Sequence, residues 1–305
     1  MAIPAEVDAM RRAIAISAKG IGTTSPNPPV GCVVLARDGR IAGEGYHVRK
    51  GEAHAEAHAL TAAGSWAEGG TAVVTLEPCN HVGRTPACRQ ALIDAKVGRV
   101  VIAVLDPTSR GEGGAARLRA AGVDVETGVL AGEARVVLGP WLAALAKRRP
   151  VVTWPYIAKS CGIDPVDEDL EDARLLRLDA DAVLRADGSV AEAVPGSHRA
   201  AMLRLADYAE ATDPDAITAS LYEGGVRRLL VVGGLAVADP FLALGLIDRV
   251  YAYLPDSDAS TVPSGTAPWL VVPPGFTIAG AVRVGGFVRV EARQDGSSGG
   301  MSGLV

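Results

Sequence analysis

The chain has 305 residues, 49% of them hydrophobic, which is more than one hydrophobic core usually organises, so two domains are expected. A formal net charge of −5 argues against the basic surface that nucleic-acid backbones require, while a small phosphorylated ligand needs only a local cluster of donors. No apolar run is long enough to span a bilayer, and Glu6 and Asp8 precede any apolar stretch; no membrane segment or secretory leader is expected, and the location reads as cytoplasmic.

Val7, Met10, Ile14 and Ala18 recur at helical spacing before Gly20, predicting an amphipathic helix over residues 5–19. The stretch Ser25 to Pro29 cannot continue it, because residues before proline avoid the helical region. Val30 to Ala36, an Asp38-Gly39 turn and Arg40 to Tyr46 form a hairpin signal. Helices are then expected at Ala53–Ala63, Pro86–Ala95, Gly114–Ala121 and Leu130–Lys147, alternating with strands at Thr71–Leu76, Arg99–Leu105 and Val123–Val125. That alternation is the pattern of layered α/β domains. Lys147-Arg148-Arg149-Pro150 ends the first domain, 1–148. A second α/β domain, 149–293, is expected to hold strands near Val151–Tyr156, Asp181–Leu184, Arg228–Val232 and Arg249–Leu254. Its helices are expected near Leu170–Arg177, His198–Ala209, Asp215–Tyr222 and Ala238–Leu244, and the Gly- and Ser-rich end, 294–305, reads as a flexible tail.

Chemistry concentrates in three pieces of the first domain: His54-Ala55-Glu56, Pro78-Cys79 and Cys88. One imidazole and two thiolates suffice for a catalytic zinc ion, since three protein ligands leave the fourth position of a tetrahedral metal for water. Glu56 is not needed as a ligand and has the chemistry of a proton acceptor. This layout, with the glutamate as general acid/base, is that of zinc-dependent deaminases. His54 and Glu56 open a predicted helix, and Pro78-Cys79 follow a predicted strand, so both halves of the metal site fall at element ends, where helix N-termini favour thiolate. His58, four residues after His54, is expected to pack or to support the site, and Glu77 to orient the metal loop. Cys32 lies in an apolar run and Cys161 in a weakly patterned segment; no disulfide framework is expected.

The chain resembles the bifunctional riboflavin-biosynthesis deaminase/reductase family. The resemblance rests on Thr24 to Gly31 (TSPNPPVG), Gly51 to Leu60 (GEAHAEAHAL) and Thr75 to Cys88 (TLEPCNHVGRTPAC), where eight residues separate the cysteines. It implies a cytidine-deaminase-like three-layer α/β/α first domain and a shortened dihydrofolate-reductase-like second one. It also implies one Zn²⁺ on His54, Cys79 and Cys88, Glu56 as catalytic residue, and substrate contacts from Asn27, His47, His81, Arg84, Thr85 and Asp106. Arg84 stands where many family members carry lysine, which keeps the charge and adds a forked donor suited to phosphate. Thr108 replaces the asparagine that usually follows Asp106-Pro107.

The second domain departs from the family pattern. Trp154-Pro155-Tyr156 lacks the lysine of Trp-Lys-Tyr, Lys159-Ser160-Cys161-Gly162 replaces Ser-x-Asp-Gly, and Val232-Gly233-Gly234 lacks the acid of Glu-Gly-Gly. The cofactor loop Val-Gly-x-Gly-Thr-Val aligns with Arg185-Ala186-Asp187-Gly188-Ser189-Val190, which adds a side chain where backbone would approach phosphate and a negative charge beside it. NADPH is therefore not expected, and the domain reads as reductase-like but no longer reducing.

The resemblance implies deamination of 2,5-diamino-6-ribosylamino-4(3H)-pyrimidinone 5′-phosphate. The alternatives are a related pyrimidine or purine in a specialised pathway, a fully bifunctional enzyme, or a non-catalytic assembly protein. A homodimer and a separate reductase partner are expected, with neither nucleic acid nor membrane as partner. His198, the only histidine of the second domain, is expected to be exposed or to start a helix.

Overall fold

The computed structural model describes residues 1–80, 87–109, 111–159, 162–167, 169–198, 213–256 and 272–296. The chain packs as two units, Met1–Gly139 and Pro140–Val305, and the division falls inside the helix Ala131–Lys147, upstream of the boundary expected at residue 148.

The first unit runs α1 (Pro4–Ser17), β1 (Gly31–Leu35), β2 (Ile41–Tyr46), α2 (Ala55–Ala63), β3 (Thr71–Leu76), α3 (Cys88–Asp94), β4 (Arg99–Val104), α4 (Gly113–Ala120), β5 (Asp124–Thr127) and the start of α5 (Ala131–Lys147). Its sheet has the order β2-β1-β3-β4-β5, with β1 antiparallel to both neighbours and β3, β4 and β5 mutually parallel. β1 is buried throughout and β3 and β4 are buried beyond their first residues, as apolar strands covered on both faces must be.

Register shows which helix covers which face. Gly31 faces α1 so closely that a Cβ would lie 2.1 Å from the Ala13 carbonyl oxygen. Cys32 pairs with Gly45 and Val34 with Gly43, so these four share the opposite face, which α2 covers. The result is the expected three-layer α/β/α arrangement. Every sequence-predicted element of this unit is present, and Thr71–Leu76 has the predicted bounds.

The second unit contains β6 (Val151–Lys159), β7 (Gly162–Pro165), α6 (Glu171–Leu178), β8 (Ala182–Arg185), β9 (Val190–Glu192), α7 (Pro214–Glu223), β10 (Arg228–Val232), α8 (Leu235–Ala243), β11 (Arg249–Pro255), β12 (Phe276–Val284) and β13 (Phe287–Gln294). The sheet order is β12-β13-β11-β6-β10-β8-β9, with β7 pairing β6. One core joins Trp154, Tyr156, Leu229 and Val231 to Leu221 of α7 and Phe241 of α8; a second sets Tyr251 and Tyr253 against Ala173 of α6. Helices again cover both faces.

Buried carboxylates stitch the strand starts. Asp181 accepts the N–H groups of Arg227 (2.8 Å) and Arg228 (2.9 Å), and Asp248 accepts the N–H of Val152 (2.8 Å) and a forked pair from Arg149, with Lys147 as a further partner.

Some expectations for this unit change or fall outside the described residues. The β12–β13 hairpin was not anticipated. β13 continues through Gln294, whose side chain donates to the Gly245 carbonyl at 3.1 Å, so residue 294 belongs to the sheet rather than to a tail; 297–305 lie outside the described residues. His198 is buried, not exposed, because Asp181 and Glu192 flank its ring at 3.7 and 3.6 Å and Ser197 lies 3.0 Å from Nδ1. The rest of the helix expected at His198–Ala209 lies outside the described residues, as does Cys161.

Candidate active site

α2 approaches β2 without intervening side chains. A Cβ on Gly45 would meet the Ala55 carbonyl oxygen at 2.4 Å and His58 Cβ at 2.5 Å, and one on Gly43 would meet the Ala59 carbonyl oxygen at 2.3 Å. Ala55, Ala59 and Ala63, one turn apart, supply the matching small face. The helix start is thereby fixed. His54 is its N-cap in extended conformation, so the imidazole leaves the axis, while Glu56 enters the first turn and is buried at 3% exposure.

Cys79 arrives from the other side of the site, three residues past β3, and Cys88 is the first residue of α3. Buried Glu77 holds the approach: its carboxylate accepts the N–H of Asp106 at 3.1 Å and of Ala115 at 2.9 Å, joining the end of β3 to the loop after β4 and to α4. This agrees with its expected orienting role.

The donor atoms of His54, Cys79 and Cys88 all lie within 4.8 Å of one another. His54 Nδ1 is 3.7 Å from Cys79 Sγ and 3.3 Å from Cys88 Sγ. Tetrahedral zinc, with Zn–S of about 2.3 Å and Zn–N of about 2.0 Å, needs N-to-S edges of about 3.5 Å, so the donors match that metal in chemistry and spacing. The Cys88 N–H donates to Cys79 Sγ at 3.2 Å. Cys79 is pulled well below its ordinary value by hydrogen bonds from the Cys88 thiol first and then from His54 and that N–H, so the pair releases its first proton readily.

Glu56 lies within hydrogen-bond reach of the Cys88 thiol, and burial pushes its carboxyl up to about 7. A buried carboxyl beside the three donors is placed to carry protons. His58 Nε2 is buried with no hydrogen-bond partner among the described residues, and its ring stands outside the three-donor cluster.

Asn27 and His47 are brought together, with Asn27 Nδ2 3.3 Å from His47 Nε2. The His47 ring meets that of His54 edge-on at 5.1 Å, and burial lowers its pKa to about 4. Asp106 is turned inward on its own loop, where Oδ1 accepts both the N–H (2.8 Å) and the hydroxyl (2.7 Å) of Thr108. His81, Arg84 and Thr85 lie outside the described residues. The sequence reading missed Gly43, Gly45 and the Ala53 carbonyl, whose oxygen lies 3.2 Å from His47 Nδ1; a glycine pair two apart facing alanines four apart is the signal that could have revealed the first two.

Residues 5–104 match the family model described as the cytidine and deoxycytidylate deaminase zinc-binding region. A Mycobacterium tuberculosis riboflavin biosynthesis protein RibD is 38% identical over 286 residues, covering 81% of this chain and 84% of its own. The chain belongs to the riboflavin-biosynthesis deaminase/reductase family. The RibD of Escherichia coli is 49% identical over 154 residues, a match that spans 50% of this chain and 40% of that protein. A diaminohydroxyphosphoribosylaminopyrimidine deaminase/5-amino-6-(5-phosphoribosylamino)uracil reductase structure from Thermotoga maritima superposes with a TM-score of 0.75 at 25% identity, covering 95% of this chain and 99% of that one. The protein is a zinc-dependent deaminase of the RibD type, and its likeness to RibD runs into the second unit.

Proposed function

We propose that the protein hydrolytically removes the 2-amino group of 2,5-diamino-6-ribosylamino-4(3H)-pyrimidinone 5′-phosphate, releasing ammonia and 5-amino-6-ribosylaminouracil phosphate. The observation that carries this reading is Glu56, a buried carboxylate beside the His54, Cys79 and Cys88 donors, where a purely structural site has no need of an acid. When bound there, Zn²⁺ supplies Lewis acidity that brings the pKa of a water near neutrality. His54 and the two thiolates hold the ion, and the thiolates offset its charge. Glu56 would take one proton of the water and pass it to the ring nitrogen as the oxygen adds to the amidine-like ring carbon, then take the second proton from the added hydroxyl and pass it to the amine, which leaves as ammonia while the ring C=O forms. Asn27 contacts the heterocycle and Arg84 the phosphate. The name borne by the Thermotoga maritima structure supports the substrate class, and the Escherichia coli and Mycobacterium tuberculosis relatives support a place in riboflavin biosynthesis.

We further infer that the second unit does not use NADPH and that a separate reductase consumes the product. Two features support this. Trp154 is wholly buried and donates to the Gly233 carbonyl at 3.2 Å, which occupies the backbone beside Gly234. The segment aligned with the cofactor loop is a tight turn joining β8 to β9, in which Asp187 accepts the Ser189 N–H at 2.9 Å; that bonding lowers the Asp187 pKa, so the turn presents a negative charge. We assign the protein to the cytoplasm as a homodimer; no described helix is long and apolar enough to cross a membrane. Ammonia release from the diaminopyrimidine ribotide, with guanine and cytidine derivatives as controls, tests the proposal. Turnover of a control with none of the ribotide would overturn it.

A further inference from the structure

His47 is only 2% exposed, and both of its ring nitrogens are engaged. Nδ1 lies 3.2 Å from the Ala53 carbonyl oxygen, and a carbonyl only accepts, so Nδ1 carries the hydrogen. The lone pair of Nε2 then faces Asn27 Nδ2 at 3.3 Å, and the amide N–H donates to it. Reversing the amide would set oxygen and nitrogen lone pairs against each other. Asn27 Oδ1 is left pointing away from the histidine, with no partner among the described residues.

The backbone around the pair is fixed as well. The Asn27 N–H donates to the Thr24 carbonyl at 2.9 Å, the His47 N–H to the Val30 carbonyl at 2.9 Å, and the Thr23 hydroxyl to the Val48 carbonyl at 2.6 Å. The edge-on contact with His54 sets this arrangement beside the metal-ligand cluster.

We propose that His47 is a positioning residue that acts through Asn27, locking its amide so that Oδ1 is offered to a ring or exocyclic N–H of the heterocycle. This rests on the deaminase reading above. A buried ring with both nitrogens in use has no donor left for substrate, so the substrate contact that the resemblance implies for His47 is made instead by Asn27. A locked acceptor selects heterocycles presenting an N–H at that edge and rejects those presenting a lone pair, because an acceptor facing an acceptor leaves both unpaired.

The test is a double-mutant cycle on the zinc-loaded full chain, read as kcat/KM for ammonia release from the diaminopyrimidine ribotide, with zinc content measured on every variant. His47→Leu is expected to lower kcat/KM about tenfold, the worth of one hydrogen bond, with zinc retained. His47→Gln, whose amide oxygen can accept from Asn27, should stay within roughly threefold of the unaltered protein on the same scale. In an Asn27→Ala background, His47→Leu should cost nothing further. Additive effects would make His47 a direct substrate contact, and zinc loss in His47→Leu would make it a support of the metal centre; either result overturns the proposal. If the unaltered protein fails on the ribotide, the substrate reading falls instead, and the same cycle run on whichever control heterocycle turns over decides the role of His47.

Discussion

Gly114, at the start of α4, lies so close to the carbonyl of Pro78 that a Cβ on it would stand 1.9 Å from the oxygen. Pro78 precedes the ligand Cys79, so the absence of one side chain on α4 sets the height of a metal donor. Gly114→Ala should force Pro78 outward, destabilise the fold by about 1–3 kcal/mol as overpacking does, and weaken zinc retention. Thermal denaturation alongside chelator competition measures both effects; unchanged zinc affinity would separate Gly114 from the site.

The elements that hold the metal donors were legible in sequence because short apolar runs bounded by glycine and proline have few alternatives, as at Thr71–Leu76. Long-range pairs were not. The spacing of Asn27 and His47 says nothing about their side chains meeting across two loops, and burial of His198 depends on Asp181 and Glu192 from β8 and β9. The β12–β13 hairpin escaped because most of β12 is exposed, which removes the alternation that identifies a strand. Its Gly285-Gly286 turn was the usable signal, being a two-residue glycine connection between pairing runs.

Glu56→Gln should keep zinc and lose turnover, since all three donors remain while the proton carrier does not. The expected loss is on the order of 10²–10⁴-fold or more. Metal analysis with an ammonia assay reads both quantities. Full activity in this variant would remove Glu56 from the chemistry.

Cys88→Ser should strip or greatly weaken the metal, because a neutral hydroxyl replaces thiolate poorly on a borderline-soft ion. Cys88 also places its N–H on Cys79 Sγ, a bond that serine preserves, so the loss would report the missing sulfur rather than a moved loop. Unchanged zinc stoichiometry would mean that another group, His58 or His81, completes the set.

Arg84→Ala should raise KM for the phosphorylated substrate far more than for its dephosphorylated counterpart. A forked guanidinium on phosphate contributes binding remote from the reacting carbon, so kcat should change little. Steady-state kinetics on the two substrates decide it. Equal effects on both would move Arg84 out of the phosphate site.

NADPH should neither bind at physiological concentration nor support reduction of the deaminated ribotide. Relative to the family pattern the chain has Pro155 for lysine, Cys161 for aspartate, Ala186 for the first loop glycine and Val232 for glutamate. Each change acts on a different part of a cofactor site. Ala186 adds a methyl group where backbone would approach phosphate, and Asp187 beside it brings a carboxylate whose pKa is lowered by its bonds to Ser189. Pro155 sits on β6 between the buried Trp154 and Tyr156, whose ring centroids are 4.3 Å apart, and it offers no cation to a cofactor. A strand held by its aromatic neighbours can lose polar chemistry without losing shape. Calorimetric titration with NADPH, together with absorbance at the nicotinamide band in the presence of the deaminated product, measures binding and turnover separately. A micromolar dissociation constant with oxidation of the cofactor would make the second unit a working reductase.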